Sequence, residues 1–308
     1  GKTTTKELTH AILSTRGAAL KTQGNLNNEI GVPLTAFNLD ESHVAAVIEM
    51  GMNHKGEISR LTSIARPDAG LITIVQPAHL EGVGSIEGVA EAKGELFHGL
   101  APAATAVVNL DDERIARQAK TLQCRTLTWG RHPDADVRLK HVKMQGLDGL
   151  AMTISYRGEE HDVALRLVGD HNAMNATGAF ALALAVGYTP SECARGLEAA
   201  QAHARRLQVL EAPNHVTVVD DCYNANPASM EAALRTVDEL SVDGRALAVL
   251  GDMLELGSAE AVEHARMGVV ASDHVEVIAF FGPRMKAAHA EAAKRLGWGR
   301  NTLTRKIK

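Results

Sequence analysis

The stretch Val44-Ala45-Ala46-Val47-Ile48-Glu49-Met50 decides the fold class. It is one continuous apolar run broken only by Glu49, the pattern of a parallel strand buried on both faces. Leu71–Val75 and Ala104–Val108 are further runs of the same kind. Helical spacing separates such runs, as after Thr5, where Leu8, Ala11 and Ile12 recur three and four residues apart. Strands alternating with helices predict right-handed βαβ units and a doubly wound α/β sheet.

Further along, Val137–Val142, Ala151–Tyr156 and His161–Leu167 read as short strands joined by turns rich in Gly and Asp, hence an antiparallel meander. An alanine-rich helix over 172–186 and a second helix opening at Pro190 follow. The α/β pattern then restarts, with strands at 216–219, 246–250 and 275–281 and helices at 228–240 and 259–271. The expected organisation is two α/β domains, 1–203 and 204–308. The chain opens on Gly1-Lys2-Thr3 without a methionine, so the natural N-terminus is expected upstream.

With 308 residues the chain can build two substantial cores. Its 32 basic and 37 acidic residues give a net charge of −5 and only 3% are aromatic, which argues against a nucleic-acid-binding surface. Cys124, Cys193 and Cys222 lie far apart with no CxxC pair, consistent with a reducing compartment and no structural zinc. The longest apolar stretches, such as 179–187, are too short to span a membrane. The last 15 residues carry Lys294, Arg295, Arg300, Arg305, Lys306 and Lys308 and no acid. They read as a solvated or frayed end, with anion binding as the alternative.

Several residues bear chemistry, each beside a plainer reading. Gly1-Lys2-Thr3-Thr4 before a helix is the back half of a phosphate loop, whose lysine meets phosphates and whose hydroxyl reaches Mg²⁺. It is equally an ordinary first turn. Glu49 and His79 follow buried strands, and the carboxyl edge of such a sheet is where ligands bind. Each could instead be a loop residue. Lys93 by composition is a lysine on a solvated helix face. Asn172 and Asn175 share a helix face and can read a base edge or cap a helix. Asp220-Asp221-Cys222-Tyr223-Asn224-Ala225-Asn226-Pro227 marks another strand end, or a turn.

Taken in order, GKTTTKE (1–7), GNLNNEIGVPLT (24–35), IEMGMNHKGEI (48–58), RPDAGLITIVQPAHLEGVGSIEGVAEAKGELF (66–97), GDHNAMNATGAFALA (169–183), VVDDCYNANPASM (218–230) and VLGDMLELG (249–257) resemble the Mur ligase family. The resemblance covers nearly everything from residue 1 to about 287. It is closest to the branch that adds D-alanyl-D-alanine to UDP-N-acetylmuramoyl-tripeptide in peptidoglycan synthesis. Another Mur-type ligase or an inactive nucleotide-binding relative stands as the alternative.

The resemblance implies a phosphate-loop ATPase domain, an incomplete Rossmann-like second domain and two Mg²⁺ ions. Gly1, Lys2, Thr3 and Thr4 would hold the ATP phosphates, and Thr3, Glu49, His79 and Lys93 the metal, with Lys93 carbamylated. Asn175 would read adenine, Arg206 reach the γ-phosphate and Asp221 approach the ribose. Tyr223, Asn224 and Asn226 would line the second domain's side. Lys2, Lys93, His79 and Arg206 form the implied catalytic set, in a cytoplasmic monomer. The same resemblance implies about a hundred residues upstream, and the Asn301–Lys308 tail is unlike the family's ending. The expectation is therefore of a piece that binds nucleotide poorly and turns over little.

Overall fold

Helix α1 (Lys2–Leu13) begins directly after Gly1 and turns Leu8, Ile12 and Leu13 inward, fulfilling the helical spacing. In the computed structural model it is the first element of residues 1–76, 80–241 and 244–296, the residues the structure describes. These fall into two units, Gly1–His203 and Ala204–Lys308. No helix among the described residues is long and apolar enough to cross a membrane.

In the first unit, β1 (Ala19–Lys21), α2 (Gly31–Ala36), β2 (Ala45–Val47), α3 (Glu57–Ala65) and β3 (Ala69–Leu71) follow α1. Then come α4 (Leu80–Val83), α5 (Ile86–His98), β4 (Thr105–Asn109), α6 (Glu113–Ala119) and β5 (Arg125–Gly130). Strands β6 (Val137–Met144), β7 (Leu150–Tyr156) and β8 (Glu159–Leu165) precede α7 (Asp170–Ala185) and α8 (Pro190–Ala199). β1 and β2 pair in parallel as a sheet of two. β3 to β8 form one sheet of six in sequence order, parallel through β6 and antiparallel from β6 to β8. The predicted meander thus extends the parallel sheet instead of standing apart from it.

Two of the three deciding runs are shorter as strands than the sequence predicts. β4 has a partner on each side and buries all five residues. The run 44–50 contributes only the three residues of β2, and Val44 and Ala46 are exposed rather than buried on both faces. The run 71–75 lies mostly beyond β3, which is shifted to Ala69–Leu71. Each of these strands is paired along one edge only among the described residues. A ladder on one side orders fewer residues and leaves apolar side chains uncovered.

Helix α7 is buried nearly all round, as its alanine content allows, and Gly178 within it admits the Trp129 ring: a Cβ there would sit 3.1 Å from that ring. α8 starts on a capping box in which Thr189 and Glu192 satisfy each other's backbone N–H groups, with Pro190 in the first turn. Gly196 in α8 lies against α1 so closely that a Cβ would come 2.4 Å from Ile12 Cα.

The second unit contains the antiparallel hairpin β9 (Gln208–Ala212) and β10 (Val216–Asp220), followed by α9 (Pro227–Leu240). β11 (Leu247–Gly251), α10 (Glu260–His274), β12 (Val277–Phe281) and α11 (Lys286–Arg295) complete it. β11 and β12 pair in parallel, and α9, α10 and α11 supply apolar side chains to the unit's own core around Met253 and Met267. Of the basic tail, Arg300, Arg305, Lys306 and Lys308 lie outside the described residues.

Candidate functional site

Glu49 is the centre of the site in the first unit. It stands two residues beyond β2, only 7% exposed. Its backbone N–H donates to Thr22 Oγ1 at 2.9 Å, and Thr22 O accepts from the buried ammonium of Lys6 at 2.7 Å. α1, β1 and β2 are thereby tied together around the carboxylate. Glu49 Oε1 accepts from Asn27 Nδ2 at 2.9 Å and, at a long 3.4 Å, from the Thr3 hydroxyl. Oε2 is buried with no hydrogen-bond partner among the described residues. A buried carboxylate oxygen without a donor is costly and calls for a cation.

Lys2 stands exposed in the first turn of α1, where backbone N–H groups and the helix dipole favour an anion. Thr3 is half-buried and Thr4 buried on the same turn. Lys2, Glu49 and Lys93 line one cavity of about 990 Å³. Lys93, on α5, is half-buried and not the solvated lysine that composition suggests: Nζ donates to Ile74 O at 2.7 Å. Burial, reinforced by the charge of Lys2 and opposed by Asp112, lowers its pKa to about 8. Part of this amine is therefore neutral near physiological pH.

Asn175 is 7% exposed on α7, and its amide is engaged inside the unit. Nδ2 donates to Asn172 Oδ1 at 2.9 Å, Asn172 Nδ2 donates to Val168 O at 2.8 Å, and Asn175 Oδ1 accepts from the Thr5 hydroxyl at 3.4 Å. A base reader here would use the remaining donor and acceptor capacity of that amide.

In the second unit, Asp221 Oδ1 accepts from the Leu207 backbone N–H at 3.2 Å, and the Arg206 guanidinium lies over the Tyr223 ring at 4.0 Å. Asn226 caps α9, accepting from Ser229 N at 3.0 Å, which is the plainer of its readings. Asn224 accepts from its neighbour Ala225 N at 2.9 Å. His79 lies outside the described residues.

Three participants carry no signal in a single sequence. Asn27 sits in GNLNNEIGVPLT without a role readable from spacing, yet it holds Glu49 and its O accepts from Gly51 N at 2.7 Å. Lys6 reads as a surface lysine but is buried beneath Thr22. Asp112 caps α6 and reaches back to accept from Val75 N at 2.6 Å, fixing the chain two residues before 77–79.

Among the described residues no three His, Cys, Asp or Glu side chains converge on one point. The oxygen donors are instead one half-satisfied carboxylate, Glu49, and the Thr3 hydroxyl beside it. Hard oxygen donors of this kind suit Mg²⁺, which takes few protein ligands and keeps waters and phosphate oxygens.

Comparison with known proteins adds the following. The Mur ligase middle domain profile matches residues 1–183, and the profile described as Mur ligase, glutamate ligase domain matches residues 205–305. The UDP-N-acetylmuramoyl-tripeptide–D-alanyl-D-alanine ligase of Bacillus subtilis is 38% identical over 95% of this chain and 63% of its own length. The protein of that name from Escherichia coli is 39% identical over 88% of this chain and 60% of its own. The chain thus spans about three fifths of the length of these curated relatives. A crystal structure of MurF from Acinetobacter baumannii superposes with a TM-score of 0.88 at 33% identity, covering 96% of this chain and 64% of that one. A MurF structure from Thermotoga maritima in complex with ADP gives 0.80 at 25% identity, covering 96% and 78%.

Proposed function

Because the chain belongs to the Mur ligase family, we propose that it is part of an ADP-forming ligase that joins D-alanyl-D-alanine to UDP-N-acetylmuramoyl-tripeptide. Similarity along most of this chain, and about three fifths of the relatives' length, to enzymes bearing that name carries the reading. The buried, half-satisfied Glu49 supports it independently.

On this reading a tripeptide carboxylate oxygen attacks the γ-phosphorus of ATP, the bond to ADP breaks, and an acyl phosphate results. The D-alanyl-D-alanine amine then attacks the acyl carbon, loses a proton, and phosphate leaves as the amide forms. Lys2 and the α1 N-terminus oppose the charge gathered on the phosphates. Thr3 and Glu49 would hold Mg²⁺, which supplies charge neutralisation to phosphoryl transfer when bound. The neutral amine of Lys93 can add to CO₂ and release a proton, and the resulting carbamate would supply oxygens to that donor set and to a second Mg²⁺ ion. His79 would complete the set, Asn175 would contact adenine, and Arg206 and Asp221 would serve γ-phosphate and ribose. The reading carries with it a cytoplasmic monomer.

The test is ADP release from UDP-N-acetylmuramoyl-tripeptide, ATP and Mg²⁺ by the chain extended to the length of its relatives, with and without D-alanyl-D-alanine. Lys93→Ala is run alongside. Release that requires D-alanyl-D-alanine and fails in Lys93→Ala is expected. Release that requires a different amine would overturn the substrate assignment, and no release from the folded protein would overturn the activity.

A further inference from the structure

A second cavity, of about 440 Å³, lies elsewhere in the first unit and shares no lining residue with the one that holds Lys2, Glu49 and Lys93. Thr126 lines it from the start of β5, Arg138 from the start of β6, and Ser155 and Tyr156 from the end of antiparallel β7. That is the amino edge of the parallel strands, whereas Lys93 meets Ile74 beyond the carboxyl end of β3. Alternation along β6 explains the polarity: Val137 and Leu139 enter the core, so Arg138 and Lys140 stand on the other face. Arg157 completes the cationic wall from the turn between β7 and β8.

The partners these charges already have sort them. Lys140 faces Glu160 at 3.6 Å. Asp136 accepts on Oδ2 from Thr128 N at 2.8 Å and from the Thr128 hydroxyl at 2.7 Å. Arg138 engages only Nε, which donates to Arg131 O at 3.3 Å, and Arg157 lies 5.1 Å from the centre of the Tyr156 ring. Neither guanidinium has a carboxylate partner among the described residues. Arg157 also holds a left-handed φ of 53° in a two-residue hairpin turn with Gly158. Such a turn selects Asn, Asp or Gly, so backbone preference argues against arginine and leaves its side chain to account for it.

We propose that this cavity binds a phosphate monoester of a small polyol or sugar, at a site separate from the one proposed above for nucleotide. Two guanidinium groups without carboxylates present the planar forks that suit phosphate oxygens. The other oxygen of Asp136 would repel a bare anion but can accept from a sugar hydroxyl, and the hydroxyls of Thr126, Ser155 and Tyr156 donate or accept. Cavities of ~300–1,000 Å³ suit small molecules, and a lone phosphate would leave most of this one unfilled.

The test is isothermal titration calorimetry of the intact chain without Mg²⁺, using ribose 5-phosphate and, separately, inorganic phosphate. The ester is expected to bind about tenfold more tightly than the ion. Arg138→Gln and Arg157→Asn are each expected to weaken it by about ten- to a hundredfold, while Lys2→Ala leaves it within about twofold. Arg157→Asn is expected to melt no lower than its parent, because asparagine suits the turn, which ties the loss to the guanidinium and not to folding. Arg138→Gln gives the same reading from outside the turn. Binding lost in Lys2→Ala and kept in both arginine variants would place the anion at α1 and overturn the site. Equal affinity for ester and ion would overturn the ligand class, and no binding of either would overturn the proposal outright.

Discussion

Replacing Glu49 by glutamine is expected to stabilise the metal-free protein. The carboxylate keeps one good donor, Asn27, and one long one, Thr3, both on Oε1. Oε2 is buried without a hydrogen-bond partner among the described residues. Glu49→Gln preserves the acceptor facing Asn27 and exchanges an unsatisfied charged oxygen for an unsatisfied neutral amide. An unpaired neutral group costs about 1–3 kcal/mol and a charged one more, so a gain of about 1–2 kcal/mol is expected. For a unit of this size that raises the melting temperature by about 2–8 °C. Mg²⁺ should reverse the balance: the parent gains about 1.4 kcal/mol at ten times its Kd, and the variant gains little. Thermal melts at neutral pH in EDTA and in Mg²⁺ decide the matter. A variant that melts below its parent in EDTA, or an equal response of both to Mg²⁺, would refute the assignment of Glu49 as a cation ligand.

Other outcomes follow from the same geometry. Asn27→Asp sets a second carboxylate against Glu49 and is expected to cost about 2–4 kcal/mol in EDTA, much of it recovered with divalent cations, as urea unfolding would record. Lys93 has a folded pKa of about 8 against an ordinary 10.5. Its penalty is full below about pH 8 and is relieved as pH rises towards 10.5, where the unfolded chain still binds the proton. Parent stability relative to Lys93→Met is therefore expected to climb across that window, and a flat difference would contradict the burial of this amine. Burial pushes the Cys193 thiol up to about 12, so alkylation at mildly alkaline pH followed by peptide mapping is expected to modify exposed Cys222 first and Cys193 last.

Local signals made much of this legible. The fully apolar run at β4, the turn-punctuated meander and the Thr189-Pro190-x-Glu192 and Asn226-Pro227 helix starts are each written within a few residues. Strand length at β2 and β3 is not local, because it depends on which edges find partners. Glu49 was visible as a carboxylate ending a buried run. Its clamp by Asn27 was hidden, since the two lie 22 residues apart and join only through the turn that brings Gly51 to Asn27. Lys93 shows the same limit: its sequence neighbours are ordinary, and Ile74, 19 residues earlier, supplies the contact that distinguishes it.

The packing of α1 also sets a schedule. Its inward face meets α7 and α8, and Thr5 waits for Asn175, 170 positions later. At synthesis rates of ~5–20 residues per second that interval is about 10–30 s. Throughout it Leu8, Ile12 and Leu13 have no α7 or α8 to cover them, while the β6–β8 hairpins can pair within microseconds of emerging. The helix that presents Lys2 is thus made well before α7 and α8, the helices that secure it. Protection of that stripe during translation falls to whatever binds nascent apolar helices.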